Sequence, residues 1–224
     1  MDKEGTSSDT ALQKQEWART QDVLKSRLIL DDDFEWSLPS VSSDSDQNDA
    51  RDKLKYIGGV DISFLKEDPS TACAAVVVLD ADTLEIVHEE FDLVRMQVPY
   101  VPGFLAFREA PILLALLEKM KTNAQHFYPQ LHHVDGLNQS EVRRQIEAKE
   151  NYNKEYISLT GQSGTTWGAA MRSCPGSSKP IYISVGHRIS LVSAIGIVKY
   201  CCKYRVPEAI RQADIRSKVF LQKH

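Results

Sequence analysis

Three apolar runs in quick succession constrain this chain more than any other feature. From Tyr56 the sequence reads YIGGVDISFL, then TACAAVVVLDA after the polar turn KEDPS, then EIVHEEFDLVRM. The runs are short, rich in β-branched residues and bounded by turn formers, a pattern that belongs to strands rather than helices. The third alternates apolar with polar residues, as a strand with one wet face does. Three such strands joined by short connections predict an antiparallel meander.

Around this meander the pattern turns helical. Residues 11–30 read as an amphipathic helix with Leu12, Trp17, Val23, Leu24 and Leu28 loosely on one side. The stretch SLPSVSSDSDQNDARDK, rich in Ser and Asp, reads as a linker or exposed loop. Two prolines and Gly103 keep residues 98–103 irregular, because proline fixes its own φ and restricts its predecessor. From Phe104 to about Lys121 the positions Leu105, Phe107, Ile112, Leu113, Leu116 and Leu117 support a helix, with Pro111 either kinking it or moving its start toward Glu109. PQLHHVD (129–135) is short enough for a further strand, and the polar stretch 138–156 suits an exposed helix. SGTTWGAAMRS and KPIYISVGHRISL read as two strands or a hairpin. SLVSAIGIVKYCCKY follows as a helix capped by Ser190. A last helix is expected from Pro207, where the missing N–H costs nothing. The order predicts a three-layer α/β domain over 56–224, preceded by a helix and an acidic linker over 1–55.

The formal net charge is −4, which alone argues against a nucleic-acid binder. The charge is uneven, however: the stretch from Asp31 to Asp52 is acidic, and the last third carries Arg188, Lys199, Lys203, Arg205, Arg211, Arg216 and Lys218. A protein that holds a divalent metal with carboxylates can be acidic overall and still offer a basic rim. Cys73, Cys174, Cys201 and Cys202 form no paired CxxC arrangement, so a zinc site is not expected and the thiols read as reduced, in cytosol or nucleus. No apolar run approaches the roughly 18 residues of a membrane span. The polar N-terminal stretch lacks a signal region, so secretion is not expected.

Three acids stand out. Asp61 interrupts the apolar run GGVDISF, where a carboxylate is costly to bury unless it is paired or binds metal; the alternative is a turn former ending the strand. Glu109 lies at the start of a helix, as a ligand or as a charge favoured by the helix dipole. Asp135 closes PQLHHVDG, as a ligand or as half of an Asp-Gly turn. Together they suit phosphodiester hydrolysis, since a hard cation such as magnesium takes one or two carboxylates plus water and substrate oxygens. Pro99, Tyr100, Val101, Pro102 and Gly103 form a stiffened loop from which Tyr100 either enters a base stack or sits as a half-buried surface ring. His187 in SVGHR reads as a general acid, a phosphate contact or a structural histidine.

GGVDISF, PYVPGFLAFREAP, SGTTWGAAMRS, IYISVGHRISL and RVPEAIRQAD, taken in order, resemble the endonuclease V family. The resemblance implies a ribonuclease-H-like fold, a mixed sheet flanked by helices, and a magnesium- or manganese-dependent endonuclease. Such an enzyme cuts the second phosphodiester bond 3′ to inosine, the product of adenosine deamination, in RNA or DNA, and its members work in the cytoplasm and the nucleus or nucleolus. It also implies that Asp61 is a metal-binding aspartate, Glu109 a catalytic carboxylate, Tyr100 the strand-separating wedge, and that His187 and Asp214 lie at or near the active site. The chain departs from the family pattern near 130–137. There PQLHHVDGLNQ passes straight into a polar stretch without the glycine-rich loop or the later lysine-bearing strand, as an internal deletion would leave it. Asp135 then either stands in the family's aspartate register or takes over the vacated strand end, and Lys149 is a poor substitute for the lysine. The expectation is impaired cleavage, with an inosine- or single-strand-binding protein of the same fold as the alternative.

Overall fold

The run TACAAVVVLD becomes strand β2 (Thr71–Asp80), buried continuously from Ala72 to Leu79. A strand reads as unbroken apolar sequence when helices cover both its faces, and that is its situation here. It lies between β1 (Tyr56–Phe64) and β3 (Ile86–Arg95), antiparallel to each, so the expected meander is present. The computed structural model describes residues 5–38, 52–128, 156–161, 164–174, 177 and 179–223, with side chains from residue 11 onward.

Alternate residues of β2 feed two cores. Ala74, Val76 and Val78 meet Leu116, Leu117 and Met120 of helix α2 (Leu105–Asn123). Ala75, Val77 and Leu79 meet Ala209 and Ala213 of the C-terminal helix, α4 (Glu208–Lys223). The result is a helix–sheet–helix sandwich, and full burial of side chains such as Leu116 and Met120 stabilises it by about 1.5–3 kcal/mol apiece. Strand β3 carries the same alternation in charge: Arg216 of α4 pairs with Glu89 at 2.5 Å, while Lys119 of α2 pairs with Glu90 at 3.4 Å. Pro111 lies inside α2 without ending it.

Among the described residues a second antiparallel sheet runs β4 (Tyr156–Thr160), β5 (Thr166–Met171), β6 (Ile181–Ser184). It packs through Ala169, Met171 and Ile183 on Ala194 and Ile195 of α3 (Leu191–Cys201). Ser190 caps α3 as expected, its hydroxyl accepting from the Ser193 N–H. Helix α1 (Gly5–Ser26) starts and ends a few residues ahead of the expected span. The expected strand at 129–135 and the expected helix at 138–156, except Tyr156, lie outside the described residues; Tyr156 opens β4 instead. The Ser-rich stretch after Trp36 has its two ends tied together, since Ser37 N–H donates to Asp52 and Leu54 N–H donates to Ser37. Among the described residues no helix is long and apolar enough to cross a membrane. The four cysteines are unbridged, and burial pushes the Cys73 thiol up to about 11 and Cys201 up to about 12.

Helix α4 opens with an acid locked in place. Glu208 accepts from Nε and a terminal nitrogen of Arg211 and from Gln212, each at 2.8 Å, and these bonds hold its carboxyl below the usual 4.5. A carboxyl depressed on folding adds stability above its unfolded value and loses it as pH falls through the folded one. Wild type is therefore expected to melt above Glu208→Gln at neutral pH, with the gap narrowing below about 4.5 and closing once Glu208 is protonated. Melting curves across pH 2–7 check this.

Candidate active site

Asp61 sits two-thirds of the way along β1, in register with Ala75 of β2. It shares the strand face of Ile57 and Gly59, the face that carries α4, because strand side chains alternate. Helix α4 comes unusually close there: a Cβ on Gly59 would stand 2.4 Å from the Ala209 carbonyl carbon. That approach brings the acid Asp214 and the base Lys218 to Asp61, which feels both charges. Asp214 and Lys218 are themselves paired at 2.5 Å, one turn apart on α4. Beneath them Ser217 and Ser63, both buried, share a hydroxyl hydrogen bond of 2.7 Å, and the Ser63 hydroxyl donates on to Asp61 at 3.4 Å.

Glu109 arrives from the other layer. Arg108, just before it in the first turn of α2, lies over the ring of Phe64 with its guanidinium carbon 4.7 Å from the centroid, which fixes this turn beside the end of β1. Burial raises the Glu109 carboxyl, the negative charge of Asp61 raises it further, and Arg108 opposes both. Asp61 is likewise raised above the usual 3.8, first by burial and then by Asp214, against Lys218, Ser63 and the Ile62 N–H. The site thus gathers acids from one strand and two helices, and it disfavours the ionised forms of Asp61 and Glu109. A positive charge placed among them would relieve that cost. Among the described residues no three His, Cys, Asp or Glu side chains form a group able to hold a metal ion by themselves. Two carboxylates suffice for magnesium, which keeps water and substrate oxygens in its shell, so the oxygen donors Asp61 and Glu109 fit a hard divalent cation.

The 99–103 loop leads directly into Glu109's helix. Val101 is buried, its carbonyl accepts from the Phe104 N–H at 3.0 Å, and Gly103 has φ +86°. Proline followed by a positive-φ glycine inside such a bond has the chemistry of a type II turn. Tyr100 projects from it with 61% of its surface exposed. His187 is engaged elsewhere: its Nδ1 accepts from the Ile29 N–H at 3.3 Å, so the neutral ring carries its proton on Nε2. Among the described residues nothing bonds it to Asp61, Glu109 or Asp214. Asp135 lies outside the described residues. Sequence reasoning missed Ser63, Ser217 and Arg108 and saw Lys218 only as surface charge. The i, i+4 spacing of Asp214 and Lys218 was the one signal that could have exposed that pair.

Acids brought by one strand and two helices of a helix–sheet–helix layer make an arrangement suited to holding a cation against a phosphodiester. The family model described as Endonuclease V matches residues 40–143 and 136–215, two pieces that overlap at 136–143. Mouse endonuclease V is 36% identical over 243 residues, covering 92% of this chain and 69% of the mouse protein. That alignment is longer than the 224 residues here, so the mouse protein has residues without a counterpart in this chain. The catalytic domain of human endonuclease V superposes with a TM-score of 0.76 at 34% identity, covering 94% of this chain and 96% of that one. The Ciona intestinalis enzyme in complex with a 23mer DNA containing an inosine followed by a ribo-adenosine gives 0.79 at 26% identity, over 94% and 98%. This chain belongs to the endonuclease V family.

Proposed function

We propose that this chain is an inosine-directed endonuclease, cutting RNA or DNA at the second phosphodiester bond on the 3′ side of the deaminated base, with its catalytic unit in residues 56–224. The observation that carries the reading is that Asp61 and Glu109, from different layers, are near enough for the charge of Asp61 to raise the Glu109 carboxyl, on the helix that the Tyr100 loop leads into. Asp61 and Glu109 would hold magnesium or manganese, which supplies an activated water and relieves charge on the scissile phosphate. The chain's own groups do the rest. Ser63 and Ser217 set the direction of the Asp61 carboxylate, and Asp214 holds Lys218 beside it. Lys218 and Arg108 offer positive charge to the phosphate backbone. Tyr100 enters the stack beside the target base, whose removal from its neighbours is the step that single-stranded substrate makes easiest. His187 turns Nε2 toward substrate, because Nδ1 is taken by the Ile29 N–H. Cleavage is slow, because the lysine-bearing strand of the family pattern has no counterpart in this sequence.

A cleavage assay with inosine-containing single-stranded RNA and DNA, against the same strands carrying adenosine, tests the reading. Slow magnesium-dependent cuts at that bond, abolished in Asp61→Ala, support it; cuts that ignore the inosine overturn it. Tyr100→Ala is expected to weaken action on a paired inosine more than on an unpaired one. Losing one base–aromatic stack is worth roughly 1–3 kcal/mol, about five- to hundredfold. A second reading, binding without cleavage, draws on the lack of a self-sufficient metal-holding group among the described residues. Tight inosine-dependent binding with no product at any metal concentration would select it.

A further inference from the structure

One face of α1 grips the loop that carries Tyr100. Trp17 stacks on Phe107, with centroids 5.1 Å apart and planes 13° from parallel, and leans against Phe104 at 5.6 Å. One turn further along the same face, Gln21 donates from Nε2 to the Gly103 carbonyl at 3.1 Å. Three positions are therefore tied to α1: the glycine of the turn, the residue that ends the loop, and Phe107 one turn into the helix that bears Glu109.

The chain after α1 is fastened at its other end. Ile29 donates to His187 Nδ1 at 3.3 Å and accepts from the Arg188 N–H at 2.7 Å. Asp33 N–H donates to the Arg188 carbonyl, and its carboxylate pairs with the Arg188 side chain at 2.7 Å. Asp32 accepts from the Ser190 N–H and the Ser193 hydroxyl, both at 2.6 Å, at the start of α3. Arg188 has φ +66°, a left-handed conformation that these contacts hold against its side chain's preference. Residues 17–33 thus join the Tyr100 loop to the His187 loop.

We propose that α1 and the strap 28–33 are a brace, with Trp17 and Gln21 as positioning residues that fix where Tyr100 projects. Tyr100 is exposed, and a ring pushed into a base stack is pushed back. The buried Val101 and the turn bond hold the loop from inside; Trp17 and Gln21 hold it from outside. Displacing a loop by an ångström can cost about a hundredfold where geometry must be met. The cost falls on substrates that need the wedge, those whose inosine is paired.

The inference rests on the reading of Tyr100 given under Proposed function, and the test separates the two. Wild type, Gln21→Leu, Trp17→Ala and Trp17→Phe are assayed on one inosine-containing strand, alone and annealed to its complement. Gln21→Leu and Trp17→Ala are expected to lose about tenfold or more in kcat/KM on the duplex and less than about threefold on the single strand, with Trp17→Phe recovering most of the loss. In a Tyr100→Ala background Trp17→Ala should cost nothing further on the duplex, because residues acting through one another are not additive. Equal losses on both substrates, or full additivity with Tyr100→Ala, would overturn the brace while leaving the nuclease reading intact. If wild type cleaves neither substrate, the nuclease reading falls and the brace is judged by anisotropy of the same oligonucleotides, fluorescein-labelled and metal-free. Selective weakening on the duplex supports it, and uniform or absent weakening overturns it.

Discussion

Asp61→Asn is expected to abolish cleavage and, without added metal, to melt at a higher temperature than wild type at neutral pH. The two effects have one cause. Burial and Asp214 raise the Asp61 carboxyl above its usual 3.8, so its ionised form is less welcome in the folded chain than in the unfolded one. A raised acid destabilises the fold above its folded value and not below its unfolded one. The neutral amide escapes that cost and still accepts from Ser63. The gain is read as a rise in the melting midpoint at pH 7. It should shrink as pH falls and vanish below about 3.8. Magnesium should raise the melting temperature of wild type and not of the variant. The rate should fall by about 10²–10⁴-fold, the usual worth of a positioned acid–base or ligand group. A variant that melts below wild type at pH 7, or still cuts inosine strands at a tenth of the wild-type rate, would remove Asp61 from the site.

Gly59→Ala is expected to be the most damaging glycine-to-alanine change among the described residues. The added carbon would meet three backbone atoms of α4: the Ala209 carbonyl carbon at 2.4 Å, its oxygen at 2.6 Å and the Ile210 nitrogen at 2.6 Å. Backbone cannot swing aside as a side chain can, so the whole helix must lift from β1. Overpacking of a well-filled core costs about 1–3 kcal/mol and sometimes more. The damage reaches the chemistry, because α4 also carries Asp214, Ser217 and Lys218. Melting temperature and cleavage should therefore fall together. Gly58→Ala next door is the control, since its added carbon would touch only the Val77 carbonyl at 4.0 Å. Equal tolerance of both substitutions in a urea titration would show that the close approach of α4 to β1 does not matter.

Much of this protein is written in local sequence. The meander from Tyr56, the Ser190 cap, the irregular 99–103 loop and the helices after it follow from strand alternation, turn residues and helical spacing. All of these act within a few residues. The acids Asp61 and Glu109 were visible for a related reason: each is a charge set into an apolar run, and that local contradiction needs no fold to be noticed. Strand β4 was missed because YISLT adjoins a long polar stretch whose helical look outweighed five residues. The contacts that turn candidate residues into a site join distant parts of the chain. Lys218 was indistinguishable from other surface bases until α4 settled on Gly59. Ser63 and Ser217 lie 154 positions apart and found each other only in the buried layer between strand and helix.

The sequence by itself determined which segments become strands and helices, and which acids are too costly to bury without a purpose. Tertiary packing alone decided which charges face Asp61 and that α1 reaches the Tyr100 loop. Those contacts depend on how closely two elements approach, and that distance is set by the side chains of both at once.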